Sequence, residues 1–292
     1  MSVAGRRKNS YVAYVFLAPA LILLGVFVLY PFLDNFKLAL YQSSPSPLIP
    51  STYVGPSQFW QTITSSTFLQ GLQATLIYTA IVVPFGLLFG LLLAVLANQK
   101  LRGMVIYRTI FSTTVISGVA VSAVIFDTLL NPVVGILPWL GININPLTSP
   151  TWALPVNALI GVWSYMGLAF IFCLAGLQSV DTSVLEAAEC DGAGWWSTLF
   201  RVTIPMLSPT LFAALTLGTI SALFSFGTIN LLIGANAPSV NANVLGLQIY
   251  NNILVNQNFG IAACLCIALF IVTLIITGVM FRFLERRVSY AR

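Results

Sequence analysis

The sequence predicts an all-α, polytopic membrane bundle of six transmembrane helices, with both termini on the cytoplasmic side. Three observations predict it. Of 292 residues, 58% are hydrophobic and 7% charged, whereas soluble domains carry about 25% charged residues. No Asp, Glu, Lys or Arg occurs at 38–99, 128–180 or 202–281, in keeping with a cost of about 2.5–3.5 kcal/mol for a charge at a membrane helix centre. The basic residues that remain fall at the ends of apolar runs, on one side of the resulting topology.

The six apolar runs lie at 11–33, 72–97, 106–126, 154–177, 206–233 and 261–283, each near the length of about 20 residues that a crossing needs. Arg6, Arg7 and Lys8 precede the first. Its basic start fits a signal peptide, but its apolar run exceeds the usual length of about 7–15 residues and no clear cleavage site follows. It reads as an uncleaved first helix. Next comes an external segment rich in Ser, Pro and Thr, with Trp60. The second run contains Gly86-x-x-x-Gly90, continued by Ala94, a spacing that suits close helix packing, and Pro84, a candidate kink.

Lys100, Arg102 and Arg108 fall between the second and third runs and face the cytoplasm. The external segment at 131–155 holds five prolines, together with Trp139 and Trp152. Prolines define turns, and tryptophans anchor at the headgroup interface. Docking of a soluble partner is the other reading. The fourth run carries Asn157, Gly161 and Ser164 with Tyr165 beside them.

On the fifth run Gly218, Ser221, Ser225 and Thr228 recur at steps of three, four and three, which draws one helix face, and Asn230 adds an amide near the outer end. Such polar stripes serve either as glue between helices or as the wall of a solute path. Arg282, Arg286, Arg287 and Arg292 follow the last run. With both termini inside, all of these basic residues are cytoplasmic and only Lys37 is external.

The segment at 181–205 interrupts this apolar chain with charge. Ser183-x-x-Glu186 has capping-box spacing and predicts a short helix with Ser183 as N-cap. Asp191-Gly192 is a turn signal, with Gly192 suited to the positive φ that ends a helix. Trp195, Trp196, Leu199 and Phe200 follow at helical spacing, and Pro205 is placed to begin the next membrane helix. A knob with an acidic face results. On these residues alone, Glu186 is either a cap or a docking group.

Whole classes of chemistry drop out. The chain has no histidine, so imidazole catalysis and histidine-ligated metals are excluded. Cys173, Cys190, Cys264 and Cys266 lack metal-ligand spacing and read as small hydrophobes. No G-x-x-x-x-G-K-[ST] is present. No metal, cofactor or catalytic residue is expected, and the chain is not expected to be an enzyme.

Glu186-Ala187-Ala188, then Gly192, then Val202-x-Ile204-Pro205 resembles the EAA loop of permease subunits in binding-protein-dependent ATP-binding-cassette importers. That loop reads EAA, three residues, Gly, nine residues, Ile-x-Leu-Pro; the chain differs by Val at 202 and Ile at 204. Asp191-Gly192-Ala193, Tyr53-Val54-Gly55 before Phe59, Asn131-Pro132 and the basic tail at 283–290 look similar too, the second to the sugar-importing branch. The resemblance implies a type I importer permease, one domain over residues 1–292 in the bacterial inner membrane, with a coupling loop at about 181–205. It implies that Glu186, Ala187, Ala188, Asp191, Gly192 and Pro205 couple to a separate ATPase pair that binds ATP and Mg. A homologous second permease and an extracytoplasmic solute-binding protein complete the set.

By the same resemblance the fifth run contacts solute, which makes Gly218, Ser221, Ser225, Thr228 and Asn230 candidates for the path; Tyr165, beside the polar stripe of the fourth run, is a further candidate. Hydroxyls and amides without a basic residue suit a neutral sugar or oligosaccharide. Glycerol 3-phosphate and glycerophosphodiesters are the alternative within the family. A self-contained secondary transporter or channel is the alternative outside it, with Asp127 as its one ionisable candidate inside a span.

Overall fold

A computed structural model describes residues 10–43, 51–99, 103–116, 118–141 and 145–284 of the chain. The basic residues Arg6, Arg7, Lys8, Lys100, Arg102, Arg286, Arg287 and Arg292, and most of the tail at 283–290, lie outside them.

Helices dominate. α1 (Ser10–Leu24) passes through a π-helical turn (Gly25–Leu29) into α2 (Tyr30–Leu38). β1 (Tyr41–Gln42) pairs antiparallel with β2 (Thr52–Tyr53), and α3 (Ser57–Thr64) leads to α4 (Ser66–Ala97). α5 (Met104–Ile116) and α6 (Val119–Leu130) precede two short 3-10 turns and α7 (Ala153–Ser179). α8 (Thr182–Cys190) and α9 (Trp195–Thr198) are followed by a second π turn (Leu199–Thr203) and α10 (Ile204–Met206). The chain ends with α11 (Ser208–Leu223), α12 (Gly227–Leu232), α13 (Leu245–Leu254) and α14 (Phe259–Leu284).

Among the described residues, five stretches are long and apolar enough to cross a membrane: Tyr14–Leu38, α4, α7, Ser208–Leu232 and Phe259–Phe283. The expected third span departs from the sequence reading. Instead of one helix at 106–126 there are two, α5 ending at Ile116 and α6 starting at Val119. Gly118 is extended (φ −61°, ψ 158°) and acts as the N-cap of α6. Gly118, shortly after the β-branched run Thr113-Thr114-Val115-Ile116, suits the start of a new helix, since glycine and β-branching both weaken a helix interior. The fifth span is also broken. α11 ends at Leu223, Phe226 leaves helical geometry (φ −150°, ψ −20°), and α12 resumes at Gly227.

The chain divides into two compact units. The first comprises residues 1–64 and 249–268. In it Ala39, Ala263 and Cys264 form a small core with Phe59 and Ile267 against them. Gln58 donates to Tyr41 O at 3.4 Å, and the Asn35 amide donates to Ala263 O at 3.5 Å. Tyr53-Val54-Gly55 closes the ribbon: the N–H groups of Val54 and Gly55 both donate to Leu40 O.

The second unit comprises residues 65–248 and 269–292. Its centre is the α4–α7 pair. Gly86 and Gly90 lie on the seam, where a Cβ at Gly86 would stand 2.5 Å from the Tyr165 ring and one at Gly90 would stand 2.8 Å from the Phe170 backbone N. Small residues therefore set how close these helices approach. α4 runs through Pro84 without interruption. Ala94, Ala97, Phe170, Cys173, Leu177 and Leu207 bury the core beside the seam. Arg108 completes the carboxyl end of α4 by donating to Ala97 O at 2.9 Å, a favourable place for a cation.

Candidate functional site

Two places in the second unit concentrate the residues singled out above. The first is the knob at 181–205. Its helix starts earlier than the capping box implied. Asp181, not Ser183, is the N-cap, and its carboxylate accepts the Ser183 N–H at 2.9 Å. An ionised carboxylate is the stronger acceptor, and Thr182 can then occupy the first helical position. Hydrogen bonds from the Ser183 backbone N–H, and then from its side chain, hold the Asp181 carboxyl below its usual pKa.

α8 ends in a Schellman motif. The Ala193 N–H donates to Ala188 O and the Gly192 N–H to Glu189 O, both at 3.0 Å, with Gly192 at φ +78°. This geometry satisfies the last carbonyls only if one residue is left-handed. Glu186, Ala187, Asp191 and Gly192 are exposed and Ala188 is half-buried. Beyond the turn Trp196 stacks on Phe200 with centroids 6.0 Å apart, and Trp195 meets Trp196 edge-on at 4.5 Å. The three rings are exposed, so an aromatic ledge stands beside the acidic helix.

Pro205 lies in α10 just after the π turn, where the Ile204 N–H bonds to Leu199 O. Proline has no N–H to give and its ring clashes with the carbonyl four residues back. Widening the turn by one residue relieves both problems. The same device precedes Pro31, where the Tyr30 N–H bonds to Gly25 O.

The second place is a cleft of about 590 Å³ lined by α4, α6, α7, α11, α12 and the break between the last two. Five residues predicted for the path line it: Tyr165, Gly218, Ser221, Ser225 and Thr228. The 3-4-3 spacing assumed one continuous helix, whereas Ser225 falls in the break and Thr228 on α12. Gly161 and Ser164 of the fourth run also line the cleft. Asn230 and Asn157 do not; Asn157 is buried and its amide donates to Ala153 O at 3.2 Å.

Tyr165 crosses from α7 and donates to Ala214 O at 2.6 Å. Its ring takes the space that a side chain at Gly218 or Gly86 would need. Tyr78, which the sequence reading missed, fills the equivalent space at Gly161 and lies 3.2 Å from the Ser225 hydroxyl, either oxygen able to donate. Ser122, Phe224 and Phe226 were missed as well. A lone tyrosine or serine within an apolar run carries no periodic signal. The lining thus combines hydroxyl groups with aromatic faces and, among the described residues, has no charged side chain. Among the described residues, no three of His, Cys, Asp and Glu come together as a metal site.

Residues 86–290 match the family described as binding-protein-dependent transport system inner membrane component. The chain is 30% identical over 97% of both lengths to the sn-glycerol-3-phosphate transport system permease protein UgpA of Agrobacterium fabrum. It is 31% identical to the inner membrane ABC transporter permease protein YcjO of Escherichia coli, over 91% of this chain and 92% of that one. In fold it is similar to a chain from the crystal structure of a bacterial alginate ABC transporter with alginate pentasaccharide-bound periplasmic protein, at 23% identity, 98% coverage of both and a TM-score of 0.84.

Proposed function

The chain belongs to the family of inner membrane components of binding-protein-dependent transport systems, and from that membership we propose that it forms half of the translocation path for a sugar, an oligosaccharide or a glycerol derivative. As a permease subunit of the inner membrane it works in an importer of the ATP-binding-cassette type. The self-contained carrier or channel falls with that assignment.

The observation that carries the solute class is the chemistry of the cleft. Hydroxyls from Tyr78, Ser122, Ser164, Tyr165, Ser221, Ser225 and Thr228, with Phe224 and Phe226 among them, suit the alternating hydroxyl and C–H faces of a polyhydroxylated solute. Glycerol 3-phosphate is the second reading, favoured by the substrate named for the Agrobacterium relative.

The finer reading follows the sequence. Six spans with both termini inside put α8 and the aromatic ledge in the cytoplasm, α5 and α6 together making the third crossing. There α8 docks on a separate ATPase, with Glu186 meeting basic or polar groups, Ala187 and Ala188 allowing close approach, and Asp191 and Gly192 turning the chain. Pro205 and its π turn link this helix to α11 and so to the cleft wall. ATP and Mg bind in the partner ATPase pair, and this chain catalyses no reaction itself. A second, homologous permease supplies the other half of the path and a soluble binding protein delivers the solute.

Tagged protein extracted from its native membrane in mild detergent tests this reading. Recovery of an ATP-binding-cassette ATPase and a second permease, both lost on Glu186→Arg while the variant stays in the membrane, is the expected result. Recovery of the chain alone, with transport on reconstitution, overturns it.

A further inference from the structure

A second cavity, of about 460 Å³, lies in the second unit at the opposite end of α7 from the knob. α7 has 27 residues, so about 40 Å of helix separates the two. Three stretches far apart in sequence wall this cavity. α4 supplies Gln70 and Gln73, the approach to α7 supplies Pro150, and the loop after α12 supplies Pro238, Asn241 and Asn243. Gln70, Gln73 and Asn241 are exposed, so their carboxamides are open to a ligand.

The cavity continues the line of the cleft. On α4, Ala74 borders the cavity and Tyr78, one turn on, borders the cleft. On α7, Leu154 borders the cavity and Gly161, about 10 Å further along the helix, borders the cleft. Steps of four and seven keep to one helix face, so both cavities lie along the same side of each helix.

The amide loop is fixed in place. The buried Gln248 amide donates to Thr67 O at 2.9 Å and to Asn243 O at 3.1 Å, in space that Gly71 leaves free. The Leu245 N–H donates to the Thr75 hydroxyl at 2.9 Å. Gly246 then packs on the backbone of Phe224 and Ser225, two residues of the cleft wall. A fixed wall loses little entropy when a ligand binds.

A carboxamide both donates and accepts hydrogen bonds, as a sugar hydroxyl does, and the rings of Pro150 and Pro238 offer C–H surface beside the amides. Among the described residues no charged side chain lines either cavity. A phosphate or carboxylate would therefore lose water in both without a partner charge.

We propose that this cavity is a second solute site, ahead of the cleft on the way in, and that Gln70, Gln73 and Asn241 bind a neutral sugar there. This rests on the reading of the cleft as the solute path with the knob inside the cell, and it selects the neutral solute over the phosphorylated one.

The test uses the complete importer, with its own ATPase and binding protein, in proteoliposomes. The probes are glucose, maltose, raffinose, maltotetraose, xylotetraose and sn-glycerol 3-phosphate. Asn241 stands at φ +55°, which glycine adopts freely, so Asn241→Gly removes the amide without straining the loop. Gln73→Leu removes the other on an exposed helix surface. The expected result is import of a neutral probe. The double variant should raise the concentration of sugar-loaded binding protein needed for half-maximal uptake about tenfold, and Gln73→Asn alone should stay near wild type. Docking of the sugar-free binding protein should not change. Unaltered uptake by the double variant, or import of sn-glycerol 3-phosphate with no neutral probe, overturns the proposal. Equal weakening of sugar-free docking also overturns it, because the amides then hold the binding protein rather than the sugar. Recovery of the ATPase with the chain in the same preparation keeps the importer reading standing in each of these cases; its absence, with no probe imported, fells both.

Discussion

A methyl group added at Gly192 meets nothing within 4 Å, yet the backbone there holds φ at +78°. At Gly90 the backbone is helical, but the same methyl group would press on the Phe170 backbone N at 2.8 Å. Two Gly→Ala changes therefore act on different levels. Gly192→Ala strains only the end of α8, by about 1 kcal/mol, so the melting temperature of the purified protein should hold while ATPase recruitment weakens. Gly90→Ala forces α4 and α7 apart and should lower global stability by about 1–3 kcal/mol, read as thermal unfolding in detergent.

Asp181 gives a pH statement at the same scale. Its carboxyl pKa is lowered by the Ser183 hydrogen bonds, so its contribution is complete above the unfolded value of about 3.9. It is lost only as pH falls through the lower folded value. Recruitment of the ATPase should thus be indifferent to Asp181 titration between about pH 5 and 8. In that window Asp181→Asn, an equivalent cap, should recruit normally and Asp181→Ala should recruit less. Equal recruitment by both variants would remove the cap from the account.

At the scale of elements, apolar runs and breaks differ in how plainly they are written. The sequence reading placed the spans at 72–97, 154–177 and 261–283 within a few residues of α4, α7 and α14, apart from an earlier start for α4, because twenty uncharged residues leave few alternatives. The new helix start after Gly118 was missed, since one glycine changes the mean apolarity of a window very little. The break after Leu223 was missed for the same reason, and the polar stripe survived only because both halves of the span border the cleft. At the knob, Gly192 and Pro205 were legible because each dictates its own backbone, whereas the choice between Asp181 and Ser183 as cap turns on acceptor strength. Tyr78 and Ser122 became visible only through their neighbours.

The π turns belong to this scale too. Each accommodates a proline one residue later, and the second joins α9 to α11. Pro205→Ala restores an N–H that can bond to Arg201 O, so the turn can tighten to an α-helix. Losing one residue from the turn rotates the knob by about 100° relative to α11. We expect Pro205→Ala to keep its melting temperature and its place in the membrane while solute uptake per ATP hydrolysed falls sharply. Unchanged coupling would mean that the π turn only accommodates the proline.

For the whole molecule, orientation in the membrane is the property on which every other role depends, and the cysteines report it. Cys173 and Cys264 are fully buried and Cys266 is half-buried in α14, whereas Cys190 at the end of α8 is exposed. A membrane-impermeant maleimide should therefore react at one position, and the side from which it reacts fixes the side on which the knob lies. With both termini inside, intact spheroplasts should stay unlabelled and inverted vesicles should label, with Cys190→Ser abolishing the signal. An assembled ATPase should slow that labelling, because α8 is then covered, and Glu186→Arg should restore the fast rate without altering the sidedness. Labelling from outside in spheroplasts would invert the topology. The basic residues would then lie on the side they ordinarily avoid, α8 would face away from any ATP-hydrolysing partner, and Glu186, Ala187 and Ala188 would need a different explanation altogether.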